Sequence, residues 1–476
     1  MKNIASNFIY NTLYKILVII LPLITAPYVT RVLGTEYTGI YTYNFSVAKY
    51  FVILGYLGFE NYGNRCIARV RDDSNKVEKT FSEIYSVQLV TTICAGLLYL
   101  LYVLFVATSY KINAAIESLY VISSFFTVGW YFFGLERFKL TALRSIAIRL
   151  LSFVAIFVFV KSPSDLGIYT AILAGSVLLS EMILWLTIRK ELHFKLSICT
   201  GFKKHFKGVI ILFFPVLIIN IYNTMDKLML GQISTMSQFG LYEYSDKIVE
   251  IPYSLIASLG VVMLPRMTYL LNNGQNKQGK IILEKSLKYM MCLACAMAFG
   301  LMAIAKTFAP VYFGKGFTAC GPLVMLMAPM IIVRAFANVI RTQYLIPTQK
   351  DKEYIISLVI GMVINLVLNI WLIPIYGALG AATGTLIAEI SVAVTQIISS
   401  RQDLDLKRYL GNSIPFFIIG MIMFVIVYIT GENMPCTAVY LVFEIILGIL
   451  LYSIPTIVYF YFTDKSTLNI FKNKKR

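Results

Sequence analysis

The sequence predicts an all-α integral membrane protein: about fourteen transmembrane helices, arranged as two six-helix lobes related by a pseudo-two-fold axis along the membrane normal, plus two C-terminal helices. Three observations lead there. Hydrophobic residues make up 58% of the 476 positions and charged residues only 14%, with a mean hydropathy of +0.75. A soluble domain carries roughly 45–50% apolar and about 25% charged residues, so this chain has too little charge to wet its own surface. That excludes an ordinary soluble enzyme, a disordered protein and a secreted disulfide scaffold. Next, apolar runs close to the ~20 residues a spanning helix needs recur from end to end, without the period-2 alternation of a membrane barrel. Last, the two halves look alike.

The runs fall at 8–29, 37–59, 81–108, 113–134, 140–160, 166–188, 209–231, 237–263, 282–306, 318–346, 354–374, 378–399, 411–431 and 437–463. The first is too long for a cleavable signal, carries Lys15, Pro22 and Pro27, and lacks a small-residue cleavage site. With the N-terminus inside, the inner connections hold about 29 Lys and Arg against about 5 outside, which sets both termini in the cytoplasm. The formal net charge of +18 is then this inside bias plus attraction to anionic membrane lipid, and no nucleic-acid partner is inferred. The most basic interruption, 189–208, reads as a cytoplasmic linker. It separates an N-lobe (1–188, helices 1–6) from a C-lobe (209–400, helices 7–12), with helices 13–14 and a basic tail in 401–476. Leu33-Gly34 followed by Gly39-Ile40-Tyr41-Thr42-Tyr43 is echoed by Leu230-Gly231 and Gly240-Leu241-Tyr242-Glu243-Tyr244. In each half a helix would end at Leu-Gly, where Gly can take a left-handed conformation.

Charges inside the spans are the functional clue, because each costs about 2.5–3.5 kcal/mol at the bilayer centre. Lys15 lies on the first run and Lys49 near the middle of the second. Asp226 and Lys227 sit late in the seventh. Glu243, Asp246, Lys247 and Glu250 share one face of the eighth at i, i+3, i+4 and i+7, and Glu243–Lys247 is a favoured i,i+4 pair. Three acids against one base leave that stripe short of positive charge. A partner must come from Lys15 or Lys49, from a proton, or from a bound cation. We therefore expect Lys15, Lys49, Lys247, Arg334 and Arg341 to form an anion-binding lumen. Asp226, Glu243, Asp246 and Glu250 are coupling-ion candidates for H+ or Na+, and Tyr41, Tyr43, Tyr56, Tyr242 and Tyr244 are platforms for sugar rings. Glu181, Glu389 and Glu444 read as packing or interfacial charges. Cys292 and Cys295 read as small helix residues rather than a metal or redox motif, and no metal or other cofactor is expected. His193 and His205 read as solvated linker residues. Pro22, Pro27, Pro215, Pro252 and Pro329 read as kinks, and Gly377–Gly384 as a small-residue packing face.

The stretches Leu21-Pro22-Leu23-Ile24-Thr25-Ala26-Pro27-Tyr28-Val29-Thr30-Arg31-Val32-Leu33-Gly34, Asn61-Tyr62-Gly63-Asn64-Arg65, Asn223-Thr224-Met225-Asp226-Lys227-Leu228-Met229-Leu230-Gly231 and Leu264-Pro265-Arg266-Met267 resemble Wzx-type oligosaccharide flippases of the multidrug/oligosaccharidyl-lipid/polysaccharide exporter superfamily. The resemblance implies a non-enzymatic carrier in the bacterial cytoplasmic membrane. It would move undecaprenyl-pyrophosphate-linked oligosaccharide to the outer leaflet by alternating access through a V-shaped cavity, for O-antigen, capsule or exopolysaccharide. It implies lipid-linked oligosaccharide and membrane lipids as partners, and polysaccharide polymerase and chain-length machinery beside them. A lipid II flippase or a multidrug antiporter of the same superfamily are the alternatives. A membrane polymerase or glycosyltransferase ranks last, because the outer loops are too short to hold a catalytic domain.

Overall fold

The computed structural model describes residues 2–107 and 110–463. The side chains of Lys15 and Pro215 and the basic tail from 464 to 476 lie outside the described residues. Among the described residues every regular element is helical, as lipid demands of a backbone that must satisfy its own hydrogen bonds. Twelve segments among the described residues are long and apolar enough to cross a membrane, and the bent first helix carries the two remaining apolar runs.

The chain divides into two compact units, Met1–Gly231 and Gln232–Arg476. The first holds α1 (Lys2–Tyr56), α2 (Phe59–Val70), α3 (Ser74–Leu101), α4 (Lys111–Phe126), α5 (Gly129–Gly134), α6 (Phe138–Phe159), α7 (Leu166–Glu191) and most of α8 (Ile198–Ile233). The second holds α9 (Met236–Asn272), α10 (Asn276–Phe313), α11 (Cys320–Met327), α12 (Pro329–Ile340), α13 (Asp351–Tyr376), α14 (Ala378–Ser400), α15 (Leu406–Gly411), α16 (Ile414–Glu432) and α17 (Ala438–Thr463). Packing thus groups the seventh span, 209–231, with the six before it, whereas the sequence pattern leads us to expect it in the C-lobe.

Gly34 ends the first run as expected. Its φ of 74° and ψ of −178° belong to a region open essentially to glycine alone, and Thr38 Oγ1 donates to the Gly34 carbonyl at 2.7 Å. Gly231 does not repeat this. Helix α8 runs through it to Ile233, and the break comes at Thr235, whose hydroxyl caps α9 by accepting from Gln238 N at 3.3 Å. Gly231 is glycine for another reason: the Tyr43 ring lies against the place its Cβ would fill. The linker is corrected too. Only 192–197 is irregular, and the basic residues Lys203, Lys204 and Lys207 ride the first turns of α8. Pro329 lies inside the span Cys320–Leu345, at the break between α11 and α12, where it opens α12. Pro22, Pro27 and Pro252 do lie inside helices.

In the first unit the core is aromatic. Phe81 stacks on Trp130 with ring centroids 5.3 Å apart and meets Tyr131 edge-on at 5.3 Å, and Trp130 Nε1 donates to Gln88 Oε1 at 2.8 Å. In the second unit α16 and α17 pack on α10 through Phe299, Phe416, Met423 and Tyr452. Tyr452 donates to the Cys292 carbonyl at 2.7 Å, and Cys295 is buried there without a disulfide. The small-residue face behaves as expected: Gly377 turns the chain at φ 54°, and Gly380 lies against the Leu372 backbone, locking α13 to α14.

Candidate functional site

In the first unit Lys49 is half-buried on the second limb of α1. The neighbouring Tyr50 hydroxyl bonds the Thr224 hydroxyl of α8, next to Asp226, which is buried and accepts from Lys227 N at 2.8 Å. Tyr41 meets Tyr169 edge-on at 4.8 Å and Phe45 nearly parallel at 6.0 Å. It lines a cavity of about 310 Å³, and Tyr56 lines a neighbouring one of about 210 Å³. Tyr43 is held elsewhere, against Gly231 and within the cluster around Val47 and Tyr99.

Between those two cavities stands a charge pair that the sequence analysis did not assemble. Arg144 of α6 and Glu181 of α7 approach to 3.4 Å with side chains 11% and 16% exposed. Arg144 Nη1 donates to the Ser180 carbonyl at 2.5 Å, and Nη2 to Ser145 Oγ at 3.1 Å. From the sequence Glu181 reads as a packing charge, and Arg144 and Arg149 carry no assigned role. The signal was present: two arginines inside the run 140–160 carry the same insertion cost that singled out Lys49.

His205 is a second correction. It is 3% exposed, not solvated. Its Nε2 meets Glu83 Oε2 at 2.9 Å and its Nδ1 meets the Tyr62 hydroxyl at 2.9 Å, while Lys204 donates to the same Glu83 oxygen at 2.6 Å. The start of α8 is thereby pinned to α3 and α2. His193 is exposed, as expected.

In the second unit Glu243 is buried and pairs with Lys247 at 3.2 Å, and the Lys247 ammonium stands 4.8 Å over the Tyr244 ring. Asp246 on the same helix is half-buried. The partner sought for Glu250 is Arg334, at 3.2 Å, and Arg334 also donates through Nε to Glu389 Oε1 at 2.8 Å. Glu389 is thus part of the charge network, not a bystander. Arg341 faces the Tyr354 ring at 5.7 Å. Glu444 accepts from Thr307 at 2.9 Å, a packing role as read. Tyr242 and Tyr244 are corrected as platforms. The Tyr242 hydroxyl is within 3.2 Å of Thr385 Oγ1 in the interior, and Tyr244 is enclosed edge-on by Phe313 and Phe317. Among the described residues no group of His, Cys, Asp and Glu is placed to hold a metal ion.

The family model described as polysaccharide biosynthesis protein matches residues 4–271, more than half of the chain. The chain belongs to this family. It is 24% identical, over 84% of its length and 97% of the relative, to a protein of Escherichia coli (strain K12) named for O-antigen transport. Its fold is similar to that of the lipid II flippase MurJ in an inward closed conformation, with a TM-score of 0.76 at 17% identity over 95% of this chain and 99% of the other. It is also similar to an inward-facing multidrug resistance MATE family transporter, at 0.61 and 13% over 82% and 95%. This family member is a multi-pass membrane protein with the helical fold those transporters share.

Proposed function

We propose that the chain is a flippase for polysaccharide precursors, moving undecaprenyl-pyrophosphate-linked oligosaccharide from the inner to the outer leaflet of the bacterial cytoplasmic membrane, with both termini inside and without enzymatic chemistry of its own. The observation that carries this is the placement of charge within spanning helices of both units: Lys49, Arg144 and Glu181 in one, Lys247, Arg334 and Glu250 in the other. A sugar chain and a pyrophosphate cannot enter hydrocarbon without replacing the water they lose, and cationic and hydroxyl groups are the replacement. The family and the O-antigen-named relative support the same class of cargo. The rival reading as a carrier of organic cations fits the acids of α9 less well, since Lys247 and Arg334 already occupy Glu243 and Glu250. Outward movement of each negative charge gains about 2.3 kcal/mol per 100 mV of membrane potential, so direct ATP use is not required. Among our candidates for coupling to H+ or Na+, Asp226 and Asp246 come first, and Glu243 and Glu250 second, because the latter two would have to exchange Lys247 or Arg334 for the ion; polymerase and chain-length proteins are our candidates for neighbours.

Deleting the gene should leave lipid-linked oligosaccharide accumulated in the inner leaflet, identified by mass spectrometry of the extracted lipid. In reconstituted vesicles Lys49→Ala should slow flipping by about tenfold or more, the value of one charge-assisted hydrogen bond, and Lys49→Arg should retain most of the rate. An unchanged lipid-linked pool on deletion overturns the function. A parental rate for Lys49→Ala overturns the role of that residue.

A further inference from the structure

We propose that the cavity bounded by α1, α4, α6 and α7 is a saccharide subsite that holds a neutral, polyhydroxylated ring of the cargo against the Arg144–Glu181 pair; the proposal rests on the flippase reading above. At about 310 Å³ the cavity is at the lower end of small-ligand sites, which begin at about 300 Å³. One wall is aromatic, with Tyr41 and Phe45 nearly parallel at 17° and Phe45 meeting Tyr120 at 5.1 Å. The other wall is polar and carries both signs of charge, with Arg144 and Arg149 on α6 opposite Glu181 on α7.

That pair is incompletely bonded. Arg144 Nε and Glu181 Oε2 have no hydrogen-bond partner in the protein, although both atoms are buried. A buried donor or acceptor left unmade costs about 1–3 kcal/mol, so the arrangement favours a ligand that, after a small rotation of either side chain, completes it. The lining selects the chemistry. An acyl chain would leave Arg144 Nε and Glu181 Oε2 unbonded and sealed from water. A cation would face two guanidinium groups, and an anion, though it could pair with them, would leave Glu181 Oε2 without a donor. A sugar ring both accepts from arginine and donates to glutamate, and its C–H face fits an aromatic wall. The pyrophosphate need not enter this cavity, which separates the subsite from the Lys49 assignment.

The test uses the full-length chain in lipid nanodiscs and measures binding of bare undecaprenyl pyrophosphate against the same lipid bearing a single glucose, galactose or N-acetylglucosamine. The parent should bind at least one sugar-bearing lipid about tenfold more tightly than the bare lipid. Glu181→Gln removes the charged acceptor. Ser176→Leu fills the cavity from α7 without touching the pair, so it keeps the test open if the first variant fails to fold. In each the preference should fall toward onefold. A preference that survives in both folded variants overturns the subsite, as does a parallel loss for sugar-bearing and bare lipid, which would mark the pair as structural or pyrophosphate-binding. A parent that binds the bare lipid with no preference for any sugar overturns the subsite alone. A parent that binds none of the four lipids overturns the flippase reading and the subsite with it.

Discussion

Arg144 and Arg334 occupy spanning helices of different units and are bonded in different ways. Arg334 meets two carboxylates, at 2.8 Å and 3.2 Å, and the Tyr253 ring lies 5.6 Å from its guanidinium carbon. Arg144 has one carboxylate at 3.4 Å, a carbonyl and a hydroxyl, an orphaned Nε, and a cavity on either side. The contrast teaches that an intramembrane charge is not by itself a binding group. Arg334 has its charge offset by two acids, whereas the Arg144–Glu181 pair leaves a buried donor and a buried acceptor unbonded.

The comparison breaks first on stability. Arg334→Ala leaves Glu389, 9% exposed, as an uncompensated buried carboxylate, a loss of about 3–5 kcal/mol. Arg144→Ala strands Glu181 beside two cavities that water can enter, and the expected loss is about 1–3 kcal/mol. Apparent melting temperatures in detergent at matched lipid content give the order directly. Equal losses, or a larger one for Arg144→Ala, would remove the distinction between an arginine countered by two acids and one countered by a single acid.

A second comparison sharpens the account of the repeat. Gly34→Ala forces a side chain into a backbone region that costs about 1–3 kcal/mol for non-glycine residues. Gly231→Ala is expected to cost a similar ~1–3 kcal/mol, but by overpacking, since the Tyr43 ring already fills the space. Tyr43→Leu should therefore rescue Gly231→Ala and leave Gly34→Ala unrescued. Rescue of both, or of neither, would show that the two glycines do not differ in the way their backbones indicate.

What was legible in the sequence was local. Fourteen apolar runs follow from composition, the break at Gly34 from a Leu-Gly step, and the Glu243–Lys247 pair from i,i+4 spacing on one helix. What was not legible needed contacts far apart in sequence. Arg334 reaches Glu250 across 84 positions and Glu389 across 55, so the apparent excess of acid on α9 could not be balanced by reading α9 alone. His205 looked solvated because its neighbours are lysines, yet Gly201 at the start of α8 lets the helix close on the Glu83 carbonyl and carries the imidazole inward. Tyr242 and Tyr244 share a pattern with Tyr41 and Tyr43, but their burial depends on α14 and on the end of α10 and the turn after it packing over α9, which no local pattern records.

The smallest expected effect comes from a pair at the membrane's edge. Lys350 and Asp403 meet at 2.6 Å between α13 and the turn after α14, with side chains 30% and 45% exposed, and Lys350 also donates to the Tyr344 hydroxyl at 3.1 Å. The hydrogen bond from Lys350 lowers the Asp403 pKa from its ordinary 3.8, and the same bond raises that of Lys350 from 10.5. A depressed carboxylate contributes stability above its unfolded pKa and loses it as pH falls through the folded value. A raised ammonium contributes below its unfolded pKa and loses it as pH climbs through the folded one. The pair therefore acts across the neutral range and fades at both ends. Exposed pairs are screened, so the contribution at about pH 7 should be under about 1 kcal/mol, well below that of Arg334. Subtracting the melting temperature of Asp403→Asn from that of the parent across pH should give a small positive difference that shrinks toward zero below the usual aspartate range and diminishes further with added salt. A difference that is flat from acid to neutral pH, or one as large as that of Arg334→Ala, would mean that burial and the number of opposing charges do not rank these pairs and that the contrast between Arg144 and Arg334 needs another cause.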